Sequence, residues 1–287
     1  MVSPGVSAGS RWPDRVLALA AWAAAATILA TVALIVGDVI VNGMSKLSWE
    51  FLTVGPRNAG RDGGIGPIIV STLLILAVAV STALPVGLGT ALFLTEFSGK
   101  QTKKATHLIR RSLDALAGVP SIVFGLFGSV FFCQIMGLGF SILAGGLTLA
   151  CMMLPILIRT LEIGLAAVPP EYRLGAAALS YSKTATIWHI SLPAALPALG
   201  AGLVLSLGRA LAETAALIFT SGYVDRMPES LLDSGRSMSV HIFDLSMNVG
   251  GGDAAAYATS LTLVLVLVVI NGCANYLTKS RAMRIRA

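Results

Sequence analysis

Two charged side chains fall where charge is expensive. Arg209 and Glu213 lie in the apolar stretch 196–222, and each costs at least about 2.5–3.5 kcal/mol at a bilayer centre. On a helix, residues four apart share a face, and Ser206 and Thr220 extend that face into a polar stripe. Leu205, Ala212 and Ala216 then fall on the apolar side. The stretch is expected to line something wet or polar. The other reading is a structural ion pair that locks this helix to a neighbour, and the residues alone leave both open. Catalytic constellations are absent from the sequence. It has no G-x-x-x-x-G-K-[ST] phosphate loop, no H-E-x-x-H and no G-x-S-x-G. The three histidines, His107, His189 and His241, sit in different segments. Cys133, Cys151 and Cys273 lie in apolar runs without metal spacing. An enzyme is not expected.

The elements that hold the pair follow from composition. Hydrophobic types make up 55% of the 287 residues and charged types 12%, about half the charge of a soluble domain. Mean hydropathy is +0.83. Such a chain is an integral membrane protein and is neither soluble nor disordered. Crossing the hydrocarbon core takes about 20 apolar residues. Six stretches qualify: 16–41, 67–94, 113–133, 139–158, 196–222 and 254–278. The first is too long for a signal peptide and is expected to be retained. Pro85 and Gly87 predict a kink in the second. Asp114 is expected to act as an N-terminal acid or cap of the third.

Six spans put both termini on one side, and basic residues choose it. Fourteen of the twenty Lys and Arg fall in the N-terminal arm, the connections 95–112 and 159–195, and the C-terminal tail. That side is expected to be cytoplasmic. The positive charge is a topology signal with some attraction to anionic lipid, and no nucleic-acid role is expected. The segments 42–66 and 223–253 read as folded caps on the far side. Connection 159–195 is long and rich in helix formers from Leu174 to Ile190, as expected of a partner-binding loop. An interfacial helix with Trp188 at the headgroups is the alternative.

The stretch Glu171–Pro193 resembles the EAA loop of ABC importer permeases, whose pattern is roughly E-A-A-x3-G-x9-I-x-L-P. Ile190, Leu192 and Pro193 fit its end, and Ala176 fits its second alanine. Leu174 stands in place of the glutamate, Gly175 in place of the first alanine and Ser180 in place of the glycine. In that family two short helices of the loop sit in a groove of a cytoplasmic ATPase. The resemblance thereby implies coupling through Glu171, Gly175, Ala176, Ala177, Ser180, Ile190, Leu192 and Pro193. Tyr181 and Trp188 would be anchors, with Glu171, Arg173 and Lys183 as a polar rim.

Asp114–Gly128 resembles the third-span signature of phosphate-importer permeases of the PstA/PstC type. Gly63–Pro67 with Ser71–Leu73 resembles the opening of their second span. Gly208–Thr214 resembles their R-A-x-G-E-T motif, with Ala212 for the glycine, and Val240–Phe243 is nearer PstA than PstC. The resemblance implies an all-α polytopic protein of the ABC importer type I permease fold, in a bacterial plasma membrane. Its organisation would be a cytoplasmic arm (1–15), a six-helix permease domain (16–278, coupling loop about 166–195) and a basic tail (279–287).

The implied activity is passage of inorganic phosphate, with another oxyanion permease (sulfate or molybdate) or an ion-coupled secondary transporter as alternatives. The pathway residues would be Arg209, Glu213, Ser206 and Thr214. A guanidinium fork matches phosphate oxygens, and Glu213 would hold Arg209 between transits. Gly118, Pro120 and Gly125 would break or pack the third span. No cofactor is implied in this chain; ATP and magnesium would belong to a partner ATPase dimer (PstB-like). A second permease (PstC-like) and an external phosphate-binding protein (PstS-like) complete the implied assembly.

Overall fold

The architecture is that of a computed structural model, which describes residues 11–99 and 101–286. The arm up to residue 10, Lys100 and the side chains of the basic tail fall outside the described residues. Among the described residues, four helices are long and apolar enough to cross a membrane: Arg15–Met44, Gly66–Glu96, Ile142–Ala166 and Asp253–Ala274. Two bent pairs bring the number to as many as six. In chain order the long elements are α1 (Arg11–Met44), α3 (Gly66–Glu96), α6 (Ile142–Ala166), α10 (Leu196–Leu211) and α13 (Asp253–Arg286). Neither residue 15 nor residue 278 coincides with a helix end.

The centre of the molecule is the packing of α3 on α6. Ile75, Ala79 and Ala83 from α3 meet Leu149, Met153, Leu157 and Leu161 from α6, all at most 1% exposed. In lipid the drive for this is close contact rather than exclusion of water, so small residues set the approach. A Cβ on Gly87 would come within 2.9 Å of Leu157 Cδ2, and one on Gly202 of α10 within 3.2 Å of Thr160. α3 stays helical through Pro85. α1 is the outlier. Its apolar window has no buried share, and it touches α13 where Gly43 approaches Tyr257 and the Tyr257 hydroxyl donates to Asp38 Oδ2 at 3.0 Å.

Two expected spans are corrected. The stretch 113–133 is not one helix. α4 (Lys103–Ala117) ends at Gly118, and α5 (Ser121–Gly128), continued by the π-helical segment Ser129–Ile135, leaves at 106°. Pro120 has extended backbone and opens α5, so it breaks the helix rather than kinking it. Asp114 thus lies late in α4, where it pairs with Arg159. The stretch 196–222 also fails to run through. α10 ends at Leu211, Ala212–Thr214 breaks the helix, and α11 (Ala215–Ile218) is one turn.

The backbone that follows is irregular but satisfied, as membrane depth demands. Thr220 O accepts from Ser141 N and Ser221 O from Gly235 N. α6 runs eight residues beyond 158. At the end away from the basic connections, α2 (Trp49–Thr53), the ribbon β1 (Pro56–Arg57) with β2 (Asp62–Gly63), and α12 (Met238–Met247) form the expected caps. Gly63, at φ +79° and packed on Gly55 O, is a position only glycine fits.

Candidate functional site: a broken helix and a two-helix loop

The break in α10–α11 separates Arg209 from Glu213. Arg209 is in the last turn of α10, where the helix dipole favours a cation. It is exposed, as are Leu205 and Ala212 on the same face. Glu213 is 8% exposed and turned inward. Its Oε1 accepts from Ala216 N at 3.1 Å and closes the first turn of α11. Its carbonyl accepts from Ser239 Oγ at 2.6 Å, tying the break to α12. The expected single face is therefore a correction: no ion pair joins Arg209 to Glu213 among the described residues. The face of Arg209 carries Leu205 and Ala212, both expected on the opposite side.

Ser206 is fully buried and donates to Gly202 O at 2.6 Å. Thr220 is likewise buried, donating to Ala216 O. Thr214 is half-buried at the start of α11. The Arg209 guanidinium is exposed beside Leu205 and Ala212, with no carboxylate paired to it among the described residues.

The glycines of the third span behave differently from one another. Gly118 caps α4, where a Cβ would meet only Ala115 O of its own last turn at 3.6 Å, so it ends a helix without packing on another element. Gly125 lies against α11, where a Cβ would come 2.8 Å from Ala216 Cα, and Gly128 leaves no room for a Cβ beside Thr148. α5 and the broken segment are thereby in direct backbone contact.

The connection between α6 and α10 folds into two short helices. α7 (Pro170–Ala178) turns into α8 (Lys183–Thr186), a π-helical stretch (Ile187–Ser191) and α9 (Leu192–Ala194), and α10 leaves at 62°. The turn hangs on Ser180 at φ +58°. Ser180 N donates to Ala177 O and Tyr181 N to Ala176 O, each at 3.0 Å, the paired bonds of a Schellman ending. Serine takes here a conformation glycine would take freely. Ser182 then caps α8 through Ala185 N.

The outward side presents Glu171, Gly175 and Ala177 together with Tyr172, Leu174, Leu179 and Tyr181, all exposed. Ala176 faces inward at 3% exposure. Ile190, Leu192 and Pro193 are half-buried at the base of the loop, leading into α10.

Arg173 is not a rim residue. Its Nη2 meets Glu96 Oε1 at 2.7 Å, and it also donates to Val168 O and Leu165 O at 3.0 and 3.1 Å. Lys183 Nζ sits 4.3 Å from the Phe97 ring centre. The loop is thus clamped to the end of α3. Beside it, Arg110, Glu162, Arg159 and Asp114 form a chain of ion pairs joining α4 to α6. Counting only basic residues hid these partners. The i,i+3 spacing of Arg159 and Glu162 was the available signal.

Residues 83–283 match the family described as binding-protein-dependent transport system inner membrane component. The chain belongs to this family. It is a multi-pass membrane protein and an ABC transporter permease. Among relatives, the probable ABC transporter permease YqgI of Bacillus subtilis is 28% identical over 88% of this chain and 90% of its own length. The phosphate transport system permease PstA 2 of Mycobacterium bovis is 30% identical over 74% of this chain and 70% of its own. A PstA homologue of Mycoplasma pneumoniae is 34% identical over 71% of this chain, which spans about a third of that longer relative, 32%.

Two solved structures share the fold. The inward-facing MetNI methionine ABC transporter gives a TM-score of 0.59 at 14% identity, over 75% of this chain and 96% of the other. A bacterial ABC transporter involved in alginate import gives 0.63 at 15%, over 94% and 98%. The type I permease architecture is the one expected.

Proposed function

We propose that this permease passes inorganic phosphate inward across a bacterial plasma membrane, with its basic end and both termini in the cytoplasm. The observation that carries the substrate class is Arg209: an exposed guanidinium with no carboxylate partner among the described residues, at the end of a broken helix, on a face that a second permease would complete. Relatives named phosphate permeases support phosphate among the oxyanions. Glu213 serves this reading by holding the break, since its carboxylate caps α11 rather than pairing with the arginine.

Energy enters through the two-helix loop. The exposed patch around Ala177, with Tyr172, Leu174 and Tyr181, is the surface offered to a nucleotide-hydrolysing dimer, and the Arg173–Glu96 clamp passes its movement to α3. A PstC-like second permease, a PstB-like ATPase and a PstS-like binding protein complete the proposed assembly. ATP and magnesium belong to the ATPase.

The test is at Ala177. It is exposed, so Ala177→Glu leaves the permease inserted and folded. That variant is expected to lose copurification with the ATPase and to lose uptake. A cysteine at 177 is expected to crosslink to the ATPase groove. Full attachment and uptake by Ala177→Glu would return the loop to the interfacial-helix reading.

A further inference from the structure

We propose that α4 lies in the membrane plane at the basic end and seats the phosphodiester of an anionic lipid in the recess beside it. Helix direction is the first ground. α4 meets the α5 segment, Ser121–Ile135, at 106°, so with α5 along the membrane normal α4 runs across it.

The second ground is how the fifteen residues of α4 divide around its axis. Thr106 and Leu113 are buried on the protein side. Lys103, Lys104 and Arg111, with His107 among them and Asp114 paired to Arg159, form an exposed basic sector, and Ala105, Leu108, Ala115 and Leu116, with Ser112 between them, a mainly apolar one. Leu108 is 67% exposed. Protein packing uses only the first sector and water only the second. A helix at the boundary of headgroup and acyl chain uses all three.

The third ground is the recess itself. It holds about 650 Å³ and is lined by Ser98, Lys103, Lys104, Thr106, His107 and Arg110. Arg110 has Glu162 as partner, but among the described residues no carboxylate pairs with Lys103, Lys104 or Arg111. The recess therefore offers uncompensated ammonium donors and hydroxyls, the chemistry of a phosphate oxygen site. A free phosphate ion would meet the same donors. Lipid is the better occupant because Lys104 and Leu108 are one turn apart, so the headgroup donors adjoin the surface that takes its chains.

The experiment places the full-length permease in phosphatidylcholine nanodiscs carrying labelled phosphatidylglycerol. It reads the preference for that lipid over equally labelled phosphatidylcholine. Lys104→Gln is expected to lower the preference about fivefold, the effect of one basic residue at an anionic surface, and Lys103→Gln with Lys104→Gln further. Arg57→Gln with Arg61→Gln, at the opposite end, is expected to leave it unchanged, and tens of millimolar orthophosphate should not displace the lipid. Both lysines are exposed and take no part in the Arg110–Glu162 pair. Should the double variant fail to insert, Lys104→Gln alone decides the matter. An unchanged preference, an equal loss in the Arg57/Arg61 control, or displacement by orthophosphate would each overturn the proposal.

Discussion

At the scale of single residues, Glu213 and His241 make opposite demands on their surroundings. Glu213 Oε1 serves as an acceptor for Ala216 N, and an amide can accept as well as a carboxylate. Glu213→Gln should therefore leave the detergent-solubilised permease nearly as stable as wild type. Glu213→Ala should cost about 1–3 kcal/mol, the penalty of leaving the buried Ala216 N–H without its acceptor. A loss as large for Gln would mean that the charge itself is needed. His241, on α12 outside the spans, is 1% exposed and faces Arg236 and Asp244.

Burial first, and the Arg236 charge second, lower the His241 pKa to about 4 against a small rise from Asp244. Because the folded state binds the proton less readily than the unfolded one, the contribution to stability is present above the unfolded pKa of about 6.5 and falls as pH drops toward 4. The full loss is about 3 kcal/mol. Thermal unfolding between pH 7 and 4 should show it, and His241→Gln should flatten that slope. An unchanged slope would place the acid sensitivity elsewhere.

At the scale of elements, the clamp between loop and core carries the coupling argument. Glu96 is 8% exposed and Arg173 31%, so removing the arginine strands a carboxylate without its fork. Arg173→Ala should destabilise the loop by roughly 2 kcal/mol and lower uptake more than ATP hydrolysis. Arg173→Lys, a charge without the planar fork, should restore only part. Equal falls in uptake and hydrolysis would argue that Arg173 is merely structural.

The elements were unequally legible in the sequence. Four spans stood out because hydropathy alone defines a helix in lipid. The two broken ones stood out as well, but their breaks did not, since hydropathy integrates over a window and passes through a break. Val119–Pro120 disfavours helix on both sides of the proline, but nothing in Ala212–Thr214 announces the break there. The cost of that invisibility was the polar stripe: with the helix interrupted, four-residue spacing no longer put Arg209 and Glu213 on one face. Ser180 was legible as a turn from its place in the loop. Its positive φ came from the Schellman bonds around it, which no local preference of serine would supply.

At the scale of the molecule, the unburied surfaces of this single chain are where the proposed partners would sit. The face of Arg209 with Leu205, the bare helix α1 and the crown of the two-helix loop are open in different places. In the proposed assembly they would face a second permease, lipid or that permease, and an ATPase respectively. The central claim is that the assembled permease moves phosphate past Arg209 at the expense of ATP. It is tested most directly by labelled orthophosphate uptake into proteoliposomes holding the permeases with their ATPase and binding protein. The account predicts uptake that requires ATP, persists without a proton or sodium gradient, withstands excess sulfate and molybdate, and collapses in an assembled Arg209→Gln complex. Uptake driven by a gradient without ATP, or wild-type phosphate uptake by that variant, would contradict it.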